Sequence, residues 1–474
     1  MSESENKEEP GRFDEFRDHI ATVDEKGRRI WVYPKKQLGK YFKWRSVLAY
    51  SLLAILFSGP FIKVGGEPIL MLNIIERKFI FFGQVFWPDD IFIFAVGMIA
   101  FIVLIIVFTV VFGRLFCGWV CPQTIFMEML FRRIEYLIDG DWTQQKKLDN
   151  MPWNGYKIYK RLLKWSIFWI LSFFIANIFL AYIVGADELK NIIFDDPANH
   201  IGGLIAIVIF TTVFFSVYAW FREQVCTVVC PYGRLQGVLL DQNSVVVAYD
   251  YNRGEERAKI HKGEDRKAIG KGDCIDCHQC VNVCPTGIDI RNGTQLECIN
   301  CTLCMDACDY MMDHVGLEKG LIRYESEKGI KTGEKWKLTR RAKAYIVLMF
   351  AIIGLLVVLI ATRSEIDTTI LKVRGTAYQK LDNDVYSNIF EMNMTNKTNK
   401  PQIIHLEVTS GNATVEIVGG DTLTLEGGED IHRELVVKMP YAEIEGPKTI
   451  FTIGIFDHDK LLGTEKVTFT GPGF

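Results

Sequence analysis

The sequence predicts a polytopic α-helical membrane protein. A cysteine-rich polar domain is inserted before its last crossing, and an all-β domain follows that crossing. Three observations carry this. Five uncharged apolar runs of about 17–22 residues are long enough to span hydrocarbon. All twelve cysteines lie between Cys117 and Cys308. After the fifth run, the apolar pattern changes to period two.

The apolar runs are 46–62, 91–112, 165–185, 201–221 and 344–362. Pro60 falls near the end of the first. The segment before it carries Arg28, Arg29, Lys35, Lys36, Lys40, Lys43 and Arg45. The loop after the second carries Arg132, Arg133, Lys146, Lys147, Lys157, Lys160, Arg161 and Lys164. The loop after the third has Lys190 against Asp187, Glu188, Asp195 and Asp196. Basic residues concentrate on the cytoplasmic side of short loops. The expected topology is therefore N-terminus inside and C-terminus outside, in a bacterial inner membrane. Residues 1–10 are acidic and polar with no apolar h-region, so the first crossing is expected to act as an uncleaved anchor. The apolar stretch 79–87 is too short to span and is expected at the outer interface, where Phe and Trp are favoured.

The 474 residues carry a net charge of −3, which gives no global basic field for nucleic acid, so no nucleic-acid partner is expected. A secreted disulfide scaffold would spread its cysteines through a short chain, and this chain is long. Clustered metal ligands are the better reading.

A polar segment separates the fourth and fifth runs, and it holds two matching motifs. The first is Cys274-x2-Cys277-x2-Cys280-x3-Cys284-Pro285, and the second is Cys298-x2-Cys301-x2-Cys304-x3-Cys308-Asp309. This is the bacterial ferredoxin spacing, in which the fourth cysteine of each motif ligates the other cluster. Two [4Fe-4S] clusters follow. Cys274, Cys277, Cys280 and Cys308 would hold one, and Cys298, Cys301, Cys304 and Cys284 the other. Asp309 stands where proline is usual. Two rival readings fit parts of the pattern. Cys274-Ile275-Asp276-Cys277-His278 matches a c-type haem attachment site, and C-x2-C pairs can bind zinc.

The other four cysteines form a second repeat, C-x3-C-P, at Cys117/Cys121-Pro122 and Cys226/Cys230-Pro231. A spacing of four predicts both sulfurs on one helix face, with the proline ending or kinking the helix. Both pairs follow an apolar run on the same side of the membrane. Soft thiolates select Cu(I), zinc or iron–sulfur clusters. Metal binding, a redox relay and a third cluster all remain open roles. The two hairpins, 46–112 and 165–221, imply an internal duplication.

In these residues the chain resembles the FixG/CcoG family, membrane ferredoxin-type accessory proteins of cbb3-type cytochrome c oxidase. The resemblance rests on Arg29-Ile30-Trp31-Val32-Tyr33-Pro34, both C-x3-C-P sites, the double ferredoxin motif and the C-terminal domain, and it covers nearly the whole chain. It implies a cupric reductase: the clusters would carry electrons, and Cys117, Cys121, Cys226 and Cys230 would be the catalytic, copper-handling thiols. The implied partners are copper ions, the lipid bilayer, an external electron donor, and oxidase assembly machinery or a copper transporter. Two other readings stand beside it, a quinol-linked electron-transfer subunit and a non-catalytic copper-holding assembly factor.

Beyond the fifth crossing, runs 402–409, 414–418, 422–425, 434–439, 449–456 and 466–470 read as short strands, with turns at Gly419-Gly420-Asp421 and Gly427-Gly428-Glu429. An immunoglobulin-like sandwich follows, without the antibody cysteine pair. His405, His432 and His458 read as ordinary strand or surface histidines. No G-x-G-x-x-G follows a strand and no phosphate-binding P-loop appears, so no nucleotide site is visible. The expected domains are 1–45 (cytoplasmic segment), 46–241 (four-helix membrane domain), 242–343 (cytoplasmic 2[4Fe-4S] ferredoxin domain), 344–362 (fifth helix) and 363–474 (periplasmic sandwich).

Overall fold

The structure, a computed structural model, describes residues 21–472 except 25, 65–66, 75–77, 82–83, 87–89, 262–263, 267, 374, 376–377, 382–383, 399 and 421. The side chains of 234, 237 and 238 are outside it as well. The acidic start at 1–10, Trp87 and Asp421 therefore lie outside the described residues. The chain divides into two compact units. One is Met1–Ser58, Gly97–Phe179 and Asp195–Gly354, and the other is Gly59–Val96, Leu180–Phe194 and Leu355–Phe474.

The long helices are α1 (Lys40–Ser58), α2 (Ile91–Phe112), α3 (Gly155–Val184), α4 (Ile201–Ser216) and α5 (Arg340–Ala361). Among the described residues, four apolar helices are long enough to cross a membrane: α2, α3, α5, and α4 taken with its flanking turns as Pro197–Phe221. Membrane insertion follows from these four. Helix α1 does not reach that standard, because Lys43 and Arg45 lie within its first turns. Its Arg45 is buried, and Nε donates to the Gly118 carbonyl at 2.7 Å. The bundle core joins Ala49 and Leu53 of α1 to Phe126, Phe131, Phe168 and Tyr218. The rings of Phe131 and Tyr218 stack with centroids 4.5 Å apart.

The ferredoxin segment lies in the same unit. Its two edge strands, Val246–Tyr249 and Ile322–Glu325, pair antiparallel, and its core gathers Val247, Tyr249, Ile288, Ile290, Met305, Met312 and Leu321 around Cys274, Cys280 and Cys308.

In the second unit, the stretch expected at the membrane interface is sheet. Leu70–Asn73, Lys78–Phe81 and Gln84–Phe86 form three antiparallel strands that bury Met71, Ile80 and Val85. Phe and Ile suit a half-buried pleat, and the run is too short for a stable helix. The C-terminal part is an all-β sandwich. Its strands are β1 (Ile366–Lys372), β2 (Val385–Asn396), β3 (Gln402–Ser410), β4 (Thr414–Ile417), β5 (Thr422–Leu425), β6 (Asp430–Pro440), β7 (Thr449–Asp457) and β8 (Lys460–Phe469). One sheet runs β4-β6-β2-β1, with Gln379–Lys380 added to β2, and the other runs β5-β3-β7-β8. The inner faces meet through Phe390, Met392, Leu435, Val437, Phe451 and Ile453. The sequence reading missed β1 and β2. In β2, Asn388 and Asn396 interrupt the apolar alternation. Asn396 is fully buried, and its side-chain amide donates to the Lys400, Leu425 and Glu426 carbonyls. His405 stacks on Phe456 at 5.5 Å, while His432 and His458 are exposed.

Candidate iron–sulfur and thiol site

Both ferredoxin loops use the same backbone device. In the first, Asp276 and His278 take φ of +54°, and in the second, Asn300 and Thr302 take +52° and +66°. These are the positions immediately before and after the second cysteine of each motif. Left-handed residues in alternation curl the chain and turn successive N–H groups inward, a nest suited to an anionic group. Asn and Asp tolerate the left-handed region; Thr there is costly and marks a conformation fixed by its surroundings. The spacing of the cysteines gives no hint of this strain.

Cys274, Cys277, Cys280 and Cys308 line one cavity. Cys284, Cys298, Cys301 and Cys304 line another, which Cys280 also borders. No disulfide joins any of the twelve cysteines. Burial pushes Cys301 up to about 11 and Cys298 and Cys308 up to about 12, with neighbouring thiols adding to the effect. Burial also raises Cys304 well above the ordinary thiol range. Such thiols stay protonated until a cationic metal group compensates their charge. Among the described residues, no three Cys, His, Asp or Glu side chains close to single-ion spacing. A cubane takes its four thiolates at separate corners, a wider arrangement, so the donor set fits an iron–sulfur cluster.

The first loop is tied by polar groups. Arg291 donates to Asp276 at 2.5 Å and to Asp289 at 2.6 Å, and its Nη2 lies 2.9 Å from His278 Nδ1. Thus His278 serves the loop's own hydrogen bonding. The second loop is tied to buried neighbours. The Asn300 carbonyl accepts from Trp119 Nε1 and from the Tyr324 hydroxyl, each at 3.2 Å.

The C-x3-C-P pairs depart from the expected single helix face. Cys117 sits in a short helix, Leu115–Trp119, and Cys226 in a π-helical turn, Val225–Val229. Cys121 and Cys230 are not in those helices. Each is extended (ψ 124° and 114°) and caps the next helix, which starts at Pro122 or Pro231. The physical reason is proline itself, which pushes the preceding residue out of the helical region. The duplication is visible in the backbone all the same. Four residues before the first cysteine of each pair the chain takes a left-handed turn, at Gly113 (φ +59°) and Arg222 (φ +54°).

The four membrane-edge thiols interact as one group. Cys226 feels Cys121, Cys117 and Cys230, and Cys117 feels Cys121 and Cys230. Burial pushes Cys117 up to about 11 and Cys226 up to about 12, with neighbouring thiols adding to each. Gln236, fully buried, hydrogen-bonds the Cys117 sulfur.

This group abuts the second ferredoxin loop. A Cβ on Gly118 would stand 2.2 Å from the Ile299 carbonyl oxygen and 3.1 Å from Cys301. Cys117 packs with Ile299 and Cys301 in one apolar cluster. The buried Arg114 lies within electrostatic reach of Cys117, Cys298 and Cys226. Sequence reasoning missed Arg114, Gly118 and Arg45, because none is distinctive without the fold. The Cys-Gly adjacency at Cys117-Gly118 was the available hint of close backbone approach.

The comparisons with known proteins follow this geometry. The 4Fe-4S dicluster domain family matches residues 221–327, and a 4Fe-4S binding domain family matches 94–146. The family of IG-like folds at the C-terminal of FixG matches 356–472. Protein RdxA of Cereibacter sphaeroides is 34% identical over 80% of this chain and 82% of its own length. The chain belongs to the FixG family. RdxB of the same organism is 33% identical over 81% of this chain and 83% of its own length. The nitrogen fixation protein FixG of Rhizobium meliloti is 36% identical over 63% of this chain and 57% of its own length. This FixG-family chain is thus a membrane-inserted iron–sulfur protein of electron transfer with an IG-like C-terminal domain.

Proposed function

We propose that this FixG-family protein carries electrons to its membrane-edge thiols and there reduces Cu(II) to Cu(I), supplying copper for assembly of a cbb3-type cytochrome c oxidase. Cys274, Cys277, Cys280 and Cys308 would hold one [4Fe–4S] cluster, and Cys284, Cys298, Cys301 and Cys304 the other. When bound, each cluster stores and releases one electron. The copper ion is the substrate: one electron converts Cu(II) to Cu(I), and thiolates from Cys117, Cys121, Cys226 and Cys230 favour the softer product. The observation that carries this reading is the direct packing of Cys117-Gly118 on the Ile299–Cys301 backbone. Electron donor and acceptor sites then need no diffusing carrier between them.

The basic loops support a cytoplasmic position for the N-terminus and the ferredoxin segment. A periplasmic C-terminal domain requires an odd number of crossings, so α1 would be the fifth. Arg45 supports this, because it is buried inside the protein, with Nε bonded to the Gly118 carbonyl, and does not face lipid. The sandwich would then meet the oxidase assembly machinery or a copper transporter outside the membrane.

One observation favours a second reading. The 4Fe-4S binding family match at 94–146 includes Cys117 and Cys121, which favours a further cluster on these thiols. The experiment is anaerobic. Purified protein is reduced, stoichiometric Cu(II) is added, and cluster absorbance is followed together with Cu(I). Cluster reoxidation with matching Cu(I) is expected. Clusters that stay reduced overturn the proposal.

A further inference from the structure

A cavity of about 420 Å³ lies at the α3 and α4 ends, in the unit that carries the ferredoxin segment, and nothing above uses it. Its volume is within the usual range for small-molecule sites, about 300–1,000 Å³. One part of its wall is aromatic and comes largely from apolar spans: Trp165 from α3 and Phe215, Ala219 and Trp220 from the α4 span, joined by Trp31 and Trp153. The other part is ionic. Glu135 is buried, with both oxygens bonded to Arg222 at 2.8 and 3.1 Å. Asp139 is 3% exposed, and Lys164 donates to its Oδ2 at 2.6 Å. Its Oδ1 is buried with no hydrogen-bond partner among the described residues. A buried acceptor left unmatched is costly and calls for a donor.

We propose that this cavity binds a membrane quinol, an amphipathic aromatic diphenol, as the electron donor. The proposal rests on the clusters of the proposed function as electron acceptors. The tryptophan rings would take the ring and the root of its tail, and a hydroxyl would donate to Asp139 Oδ1. An anionic lipid shares the amphipathic fit, but its phosphate brings only acceptors, which cannot satisfy that oxygen. Oxidation to the quinone breaks two O–H bonds and yields two protons and two electrons. One proton passes to Asp139 Oδ1 and the other to water on the side where Asp149 is half-exposed. One electron goes to each of the two clusters. Arg222 makes the route short. It lines this cavity and also a second, small one, together with Glu223, Cys226 and Thr286. The Thr286 hydroxyl lies 3.3 Å from the Cys284 sulfur.

The test uses the cluster-loaded full chain in nanodiscs with decylubiquinone and decylubiquinol as probes. Quinone binding is read by tryptophan fluorescence and calorimetry, independently of the clusters. Anaerobic reduction is read by cluster absorbance. Saturable quinone binding and quinol-driven cluster reduction are expected. Asp139→Asn should slow that reduction about a hundredfold, the scale of a lost general base. Trp153→Ala, at an exposed position, should weaken binding about tenfold. Dithionite-reducible cluster content should be unchanged in both. Absent quinone binding, unchanged behaviour of both variants, or displacement of quinone by phosphatidylglycerol with no cluster reduction overturns the site. A wild-type protein that binds quinone but shows no clusters by EPR fails the proposed function and leaves the quinol site standing.

Discussion

The two ferredoxin loops share cysteine spacing and left-handed turns, yet they sit in different surroundings. Around Cys274–Cys280 the turn residues are open, with the His278 side chain 55% exposed and Asp276 35%. A buried arginine, Arg291, holds them. Around Cys298–Cys304 the corresponding Asn300 and Thr302 are 2% and 0% exposed. There the Asn300 carbonyl accepts from Trp119 and Tyr324, and the neighbouring Ile299 and Cys301 backbone packs on Gly118. Duplication thus sets the local ligand geometry twice, and tertiary contact distinguishes the copies. The second loop shares its core with Cys117 of the membrane-edge group.

The largest expected effect tests whether that shared core matters. Replacing Cys117, Cys121, Cys226 and Cys230 together by Ser should abolish Cu(I) production and leave iron content and both EPR signals intact. Loss of iron would instead place a cluster on these thiols.

A smaller break is steric. Gly118→Val must displace the Ile299 backbone, which overpacking makes costly by roughly 1–3 kcal/mol. Denaturation should show that loss. The EPR signal of the second-loop cluster should shift while the first keeps its line shape, and Cu(I) formation should slow. An unchanged second signal would detach the loop from the thiol group.

The loops can also be disturbed one at a time. Asn300→Ala puts an ordinary side chain at φ +52° and should cost about 1–2 kcal/mol, weakening the second cluster alone. Arg291→Gln should weaken the first cluster alone, with a pH signature. Burial alone would raise the Asp289 carboxyl, but Arg291 more than offsets this and holds it below the ordinary carboxylate range. With the folded value depressed, the pair's contribution is full at neutral pH and is lost only as acid falls below about pH 4. Without Arg291 the carboxyl rises, so acid loss of the first cluster should begin at higher pH. Iron release followed from pH 7 to 3 checks this.

The smallest effect is at a cap. Asp306, two residues after Cys304, accepts from the Tyr41 and Phe42 N–H groups at 3.1 and 2.8 Å, at the N-terminus of α1. Asp306→Ala should cost about 1 kcal/mol in thermal unfolding, as lost N-caps do. Asp306→Asn should recover most of it, because the amide oxygen still accepts.

The strand pattern after β2 was legible because its runs place apolar residues at largely alternate positions and glycines mark the turns at 419–420 and 427–428. β1 and β2 were not, since Asn388 and Asn396 on the inner side of β2 are satisfied only by the Thr470 backbone and by the Lys400, Leu425 and Glu426 carbonyls. The ends of α2 coincide with its apolar run, whereas α1 and α3 start at Lys40 and Gly155, well before the runs at 46 and 165, and the second cysteine of each C-x3-C-P pair lies past its helix.

By itself the sequence determined the apolar spans, the grouping of the cysteines and the repeat of both motifs. These follow from short-range chemistry, namely hydrocarbon thickness, thiolate spacing and the restriction proline places on its neighbour. Only the tertiary structure decided that Gly118 meets Ile299, that Arg114 reaches both thiol groups, and that Asp139 keeps an unpaired oxygen beside four tryptophans. Those residues are far apart in the chain, and their roles depend on partners that folding alone brings within reach.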